Sequence, residues 1–283
     1  SYLYKNALGY TWADPFRGNR IREVLSESKK YTLEEMRALQ VDYLAIPARE
    51  MVPVLTKIHV EKPKEKEVLN LLKNWDYKLT TNSIAAAVYQ EWENQLEKNI
   101  IALSPIPALT NLSTKLIVDY IKNPTLIFPK NSVQLRDSLM KNAMSTAIDV
   151  LEKRLGSDMD QWQYGQINNK HTHLIHALSQ DGSKELKEIL NVGPLPRGGY
   201  ENTVGSTGSG LRQLSGASFR IIIDLSDWDS MMATNSPGQS GNPRSNHYKD
   251  LFPLWAKDEY FPLYYSKEKI DLVKEREIVL NAK

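Results

Sequence analysis

The chain has 283 residues, 41% of them hydrophobic and 25% charged, and its 36 basic and 34 acidic residues leave a net charge of +2. Such proportions suit a globular chain able to bury a core of its own, and they exclude a nucleic-acid footprint, which needs a clustered basic face. The absence of cysteine excludes disulfides and thiolate metal sites, and no apolar run approaches the ~18 residues of a membrane span.

Helical signals dominate the first half. Thr32-Leu33-Glu34-Glu35 predicts a capping box, in which the hydroxyl and the carboxylate satisfy each other's orphan amides. The basic run Lys62–Lys66 is interleaved with Glu61, Glu65 and Glu67 and reads as a solvated helix face. Ile84, Val88, Trp92, Leu96 and Ile100 recur every four residues and predict a long helix with one apolar stripe. Gln90, Glu91, Glu93, Asn94, Glu97 and Lys98 are expected to form its wet face. Pro105, Pro107, Pro124 and Pro129 break the helical pattern. A second long helix is predicted from about Val133 to Leu155, stopped by Gly156.

The character changes after about Gly193. Residues 193–217 are rich in Gly, Ser, Thr, Asn and Pro and are expected to be loop. Phe219, Ile221, Ile223 and Leu225 then alternate with Arg220, Ile222 and Asp224, which predicts a strand burying the first set. Asp229–Ala233 is its expected partner, in a hairpin around Ser226-Asp227-Trp228. The pattern implies a helical block at about 20–192 and a loop- and strand-rich part at about 193–283, within a single unit spanning 1–283.

Several constellations invite chemistry. His171, His173 and His176 form a histidine cluster, but no single regular element presents all three on one face, which argues against a preformed zinc site. Asp224, Asp227 and Asp229 offer oxygens to a hard cation without the spacing of a known calcium loop. Gly205-Ser206-Thr207-Gly208-Ser209-Gly210 has the composition of a phosphate loop, yet lacks the Gly-Lys-Ser/Thr ending and reads as a flexible surface loop. The Ser-x-x-Lys matches at Ser26 and Ser266 are at chance level without the companion Lys-Thr-Gly.

A series of blocks runs the length of the chain. Leu8-Gly9-Tyr10-Thr11-Trp12 precedes Pro15-Phe16-Arg17-Gly18-Asn19-Arg20-Ile21. Trp162-Gln163-Tyr164-Gly165 is followed by His176-Ala177-Leu178, and then by Val192-Gly193-Pro194-Leu195-Pro196-Arg197-Gly198-Gly199 with Thr203-Val204. Gly216-Ala217-Ser218-Phe219-Arg220 leads to Ser236-Pro237-Gly238-Gln239-Ser240-Gly241-Asn242-Pro243 and His247-Tyr248-Lys249-Asp250. In this order the blocks resemble the penicillin amidase (penicillin acylase) family of N-terminal nucleophile hydrolases, in the C-terminal part of its beta chain. The chain departs from the pattern at Ala177, where the family often has Pro, in a longer spacing from Gly165 to His176, and at Tyr200-Glu201, which stand in place of an Asp.

The resemblance implies an α+β fold, the C-terminal portion of an αββα sandwich, mostly helical with a few antiparallel strands. It also implies hydrolysis of the amide bond of a small N-acylated substrate, of penicillin or N-acyl homoserine lactone type. In the family, the N-terminal residue of a self-cleaved chain attacks the carboxamide, and its α-amine, which titrates near pH 8, acts as base. Oxyanion donors are worth about 3 kcal/mol each. Ser1 is a candidate nucleophile by position alone, and Asn6 is the nearest asparagine to an oxyanion role. The family's nucleophile and oxyanion Asn, however, precede the block from Leu8 to Arg20, so both are expected in an upstream segment. Arg20, with Arg17 as its fallback, is implied as the supporting residue beside the active centre, because a guanidinium offers a rigid fork of donors. The resemblance implies no cofactor for the chemistry, allows a structural calcium ion in the intact enzyme, and makes the upstream half of the precursor the partner. It also implies export, with any signal upstream, since Ser1–Lys5 hold no signal-peptide core. Self-association through an uncovered apolar face is a further expectation. Two other readings remain at this point: a partner-binding helical scaffold without activity, and a metal-dependent hydrolase built on the histidine cluster.

Overall fold

A computed structural model describes residue 9 and residues 12–126 and 131–281. In chain order the helices are α1 (Phe16–Leu25), α2 (Leu33–Gln40), α3 (Ile46–Leu55), α4 (Pro63–Lys73), α5 (Ile84–Ala102), α6 (Thr114–Lys122), α7 (Ser132–Leu155), α8 (Lys184–Leu190), α9 (Phe252–Ala256) and α10 (Lys267–Val273). The strands are β1 (His171–Leu174), β2 (Val192–Pro196), β3 (Arg212–Gln213), β4 (Arg220–Ile222), β5 (Met231–Thr234) and β6 (Phe261–Leu263).

The predicted helices form where their caps allow. Thr32 accepts the Glu35 amide while Glu35 accepts the Thr32 amide, so the capping box opens α2. Ser83 caps α5 by accepting the Ala86 amide at 3.1 Å, and Ala85–Ala87 supply strong helix formers behind it. Gly156, at φ +96°, ends α7 in a conformation that a side chain would strain. Helices α5 and α7 pack along each other, and the Trp92 indole donates to the Met140 carbonyl across that contact at 3.1 Å.

The expected wet face of α5 is not wet. Of the residues expected there, Gln90, Glu91 and Glu93 are buried, Asn94 and Glu97 are half-buried and Lys98 is exposed; Gln95 is buried as well. Part of the reason is that Glu91, Gln95 and Glu97 act as internal ties. Glu91 holds Arg154 of α7 at 2.8 Å and accepts from Gln95 at 2.6 Å, while Glu97 accepts the Leu112 amide at 2.7 Å. A buried polar group costs little once it is bonded. Helix α5 packs directly against α4 and α7, and it shares one main core with residues of α3 and α6 and with Trp162, Tyr164 and Tyr200.

Two small sheets follow. β1 pairs antiparallel with β2 and parallel with β3, so residues 193–217, expected to be loop, in fact contribute strands to a sheet. β4, β5 and β6 form an antiparallel meander in which Ile221 faces Ala233 and Met232 faces Pro262. The β4–β5 hairpin matches expectation, but the phase of β4 is reversed. Arg220 and Ile222 are 5% and 8% exposed, whereas Phe219, Ile223 and Leu225 are 54%, 46% and 79% exposed. The buried place goes to Arg220 because a carboxylate, a carbonyl and two aromatic rings wait for it there, as described below. Strand β4 stands at the sheet's edge, and its outward apolar residues share a groove of about 840 Å³ with Ile21, Leu25 and Met36. A second, smaller core of Val192, Tyr248, Phe252, Trp255 and Ala256 seats α9 on β2.

Together these elements make an α+β chain of mostly helices with few antiparallel strands. Among the described residues no helix is long and apolar enough to cross a membrane.

Candidate functional site

Three segments remote in sequence meet in a layer of charge between the helical core and the β4–β6 sheet. Arg197 comes from the end of β2, Arg220 from β4, and Asp258 from the turn after α9. Both guanidiniums bond the same Asp258 Oδ1, at 2.8 Å from Arg197 and 2.6 Å from Arg220. The hydroxyl of Tyr43, after α2, donates to the other oxygen of Asp258. Arg197 also donates to the Ala256 carbonyl at 2.6 Å, and Arg220 to the Trp255 carbonyl at 2.8 Å. The cations lie against aromatic faces: Arg197 is 5.0 Å from the Trp255 ring centre and Arg220 5.3 Å from that of Tyr260. Asp258 reaches this position with φ at +61°, a left-handed conformation that costs a residue with a side chain about 1–2 kcal/mol.

The Pro-Arg-Gly-Gly turn is shaped to allow this approach. A Cβ on Gly198 would lie 2.6 Å from the Tyr43 ring and 2.8 Å from the Leu79 carbonyl, so only glycine lets the chain pass over Tyr43. Burial, the larger influence, and the neighbouring Asp258 carboxylate push the Tyr43 hydroxyl upward, so it stays protonated and donating.

Two open grooves share this floor. One, of about 620 Å³, is lined by Arg20, Asp42, Tyr43, Lys78, Thr80 and Asp258. The other, of about 510 Å³, adds Asn82, Gln163 and Leu195 to Tyr43, Thr80 and Asp258. Arg20 thus borders a groove, but its guanidinium is already held. Nε and a terminal nitrogen lie 2.8 and 2.7 Å from Asp42 Oδ2, and the other terminal nitrogen donates to Glu23 at 3.0 Å. Arg49 grips the same Glu23, and that hydrogen bond, the first cause, together with the two arginine charges holds the Glu23 carboxyl below its ordinary range. Arg17 is exposed on α1. Ser1 and Asn6 lie outside the described residues.

The remaining sequence candidates have local tasks. His176 accepts the Leu178 amide at 3.1 Å and opens a short 3₁₀ turn, while His171 Nδ1 contacts the Asn169 carbonyl at 3.0 Å. Asp224, Asp227 and Asp229 accept backbone amides of Ser226, Asp229 and Tyr265. Among the described residues no group of three or more His, Asp or Glu could hold a metal ion. Nor, among the described residues, is a serine or threonine hydroxyl bonded to a histidine ring.

The Gly205–Gly210 segment is not the flexible surface loop its composition suggests. It wraps the ammonium of the fully buried Lys170, which donates to the carbonyls of Thr207, Gly208 and Gly210 at 3.3, 2.9 and 2.6 Å. Burial pulls the Lys170 ammonium down to about 8, against the nearby Glu201 charge. In the main core, burial first and the Glu201 charge second push the Glu93 carboxyl up to about 8.

Arg197, Arg220, Asp258, Tyr43 and Lys170 carry no assigned role in the sequence pattern. The two arginines lie within the quoted blocks, and an arginine inside an apolar alternation was a usable signal; Tyr43 and Asp258 carry no local one.

The penicillin amidase family model matches residues 1–272, and the chain belongs to that family of amide hydrolases. It is 24% identical to the acyl-homoserine lactone acylase QuiP of Pseudomonas aeruginosa, an alignment covering 95% of this chain and 37% of that protein. It is 25% identical to the penicillin acylase 2 proenzyme of Pseudomonas sp. (strain SE83), covering 94% of this chain and 35% of the relative. Among solved structures it is similar to the thermostable penicillin G acylase from Alcaligenes faecalis, with a TM-score of 0.54 at 16% identity, over 100% of this chain and 55% of that one. That likeness bears on the fold alone. The chain thus spans little more than a third of the curated relatives it matches.

Proposed function

We propose that this chain forms part of an acylase that hydrolyses the amide bond of a small N-acylated substrate, of N-acyl homoserine lactone or penicillin type, by an N-terminal nucleophile mechanism. The observation carrying the proposal is the family match over residues 1–272 in a chain that spans little more than a third of its acylase relatives. In this reading a polypeptide upstream supplies nucleophile, oxyanion donors and acyl pocket. Arg20, locked by Asp42 and Glu23 at the rim of the larger polar groove, is a positioning residue: its fixed charge would orient the polar groups of the upstream half and favour the developing oxyanion. The chemistry needs no cofactor.

The same reading accounts for the outward apolar face. Phe219, Ile223 and Leu225 on an edge strand, beside Ile21 and Leu25, form a surface that a second sheet would cover, and the upstream half is its proposed occupant. Residues 1–283 would then act as one structural unit, docked as a whole.

The test is amine release from a chromogenic N-phenylacetyl anilide, and ring-retaining hydrolysis of N-acyl homoserine lactones, with this chain alone and co-expressed with its upstream half. Activity only in the pair, reduced at least tenfold in kcat by Arg20→Ala with KM little changed, is the expected result. Activity of this chain alone that disappears with Ser1→Ala would make Ser1 the nucleophile and overturn the split site. Inactivity of a well-folded pair on every acyl amine tried would favour the scaffold reading instead.

A further inference from the structure

Behind Asp258, on the side of its two arginine partners, lies a small, partly open chamber of about 30 Å³, lined by Arg197, Arg220, Gln40, Gln213, Ser206 and Trp255. On the scale on which a single water needs about 10–15 Å³, it has room for one halide-sized ion or two to three waters. Its charge is unbalanced. Arg197 and Arg220 are 3% and 5% exposed, and they share one carboxylate oxygen between two guanidiniums. The third buried cation nearby, Lys170, donates to carbonyl dipoles and has the Glu201 charge close by, so it leaves the surplus on the two arginines unchanged. A buried charge without a counter-charge is costly, and carbonyls compensate only part of that cost.

The hydrogen bonding around the chamber is as one-sided as its charge. Arg220 Nε is buried and finds no partner among the described residues, although the other two guanidinium nitrogens are bonded. The lining amides spend their oxygens elsewhere: Gln213 Oε1 accepts from Arg197 Nε at 3.1 Å, and Gln40 Oε1 accepts from the Tyr260 hydroxyl at 2.6 Å. The Gln213 amide nitrogen donates to the Ser215 carbonyl and that of Gln40 to the Ile221 carbonyl, and each keeps a second N–H. What remains is donors facing a net positive charge. A water would accept from them but would neutralise nothing.

We propose that this chamber is a binding site for a small inorganic anion of halide size, held by Arg220 Nε and the spare amide N–H groups of Gln40 and Gln213. The anion completes the arginine layer as a second counter-charge beside Asp258. Since Asp258 and Tyr43 floor both grooves, the ion sets the rigidity of the floor without entering either groove.

Crystals of the protein grown with sodium bromide in place of chloride, and measured at the bromine edge, test the assignment. An anomalous peak in contact with Arg220 Nε is expected; a water there with no anomalous signal overturns the proposal. In solution, the melting midpoint is followed in bromide and in gluconate at equal ionic strength. It should rise with bromide by roughly 5–10 °C at a hundredfold excess over the dissociation constant and not with gluconate, which is too large for the chamber. Equal response to both anions, or none to bromide, refutes the site. Gln40→Leu, which leaves the arginine–aspartate bonds in place, should weaken the bromide response at least threefold in concentration, and an unchanged response would remove Gln40 from the site.

Discussion

The sharpest prediction concerns Asp258→Asn. The change keeps size and one acceptor oxygen but removes the negative charge shared by Arg197 and Arg220, leaving two cations that are 3% and 5% exposed with no carboxylate. Removing one member of a buried ion pair typically costs about 3–5 kcal/mol, because the charge left behind cannot be rehydrated. The asparagine oxygen still accepts at the positions 2.8 and 2.6 Å from the two guanidiniums, so the lower end, about 3 kcal/mol, is expected. Urea unfolding of the purified protein should show a lower midpoint with unchanged slope, and the melting midpoint should fall by roughly 6–12 °C. Arg220→Met, which leaves one guanidinium on one carboxylate, should cost less than Asp258→Asn. A loss under about 1 kcal/mol for Asp258→Asn, or a larger loss for Arg220→Met, would show that the layer is hydrated and that the surplus-charge argument is wrong.

Other outcomes follow from features already described. Gly198→Ala drives a Cβ to 2.8 Å from the Leu79 carbonyl and should cost about 1–3 kcal/mol in urea unfolding, whereas Gly18→Ala, in α1 with open space around it, should stabilise by about 0.5–1 kcal/mol. Thr32→Ala removes the α2 capping box and should cost about 1 kcal/mol by the same measurement. Glu93 has a folded value of about 8 against an ordinary 4.5, so the folded chain holds a proton that the unfolded chain releases, and its contribution to stability declines as pH rises between those values. Glu93→Gln, which cannot ionise, should therefore gain on the wild type between pH 5 and pH 9 in urea midpoint, and parallel pH profiles would refute the buried neutral carboxyl.

Local pattern carried the reading of this chain wherever local physics decides. The capping box, the four-residue stripe of α5 and the Gly156 stop all depend on neighbours within one or two turns, and they appear as expected. The burial of Glu91 and Gln95 was hidden because their partner Arg154 is on another helix, and only tertiary packing turns a polar face inward. The phase of β4 failed for a related reason. Ranking side chains by hydrophobicity puts Phe219 inside and Arg220 outside, but an arginine that meets Asp258, the Trp255 carbonyl and two rings is cheaper to bury than its composition suggests. The blocks singled out Arg20, while Arg197 and Arg220 stood inside them without an assigned role. The groove floor itself, Tyr43 bonded to Asp258 across 215 positions, left no trace in any window of the sequence.

That long-range bond has a consequence for how the molecule is made. Synthesis runs from the amino end, so Tyr43 leaves the ribosome long before the aspartate that will hold it. The α3–α7 core has every chance to assemble in the interval, since its contacts are drawn from residues already emerged. The groove floor does not, because Arg197 and Arg220 have no carboxylate until residue 258 arrives. The nascent polypeptide therefore acquires its bulk early and its groove floor late, so a stalled or prematurely ended translation product would have a sound helical interior and an unfinished face.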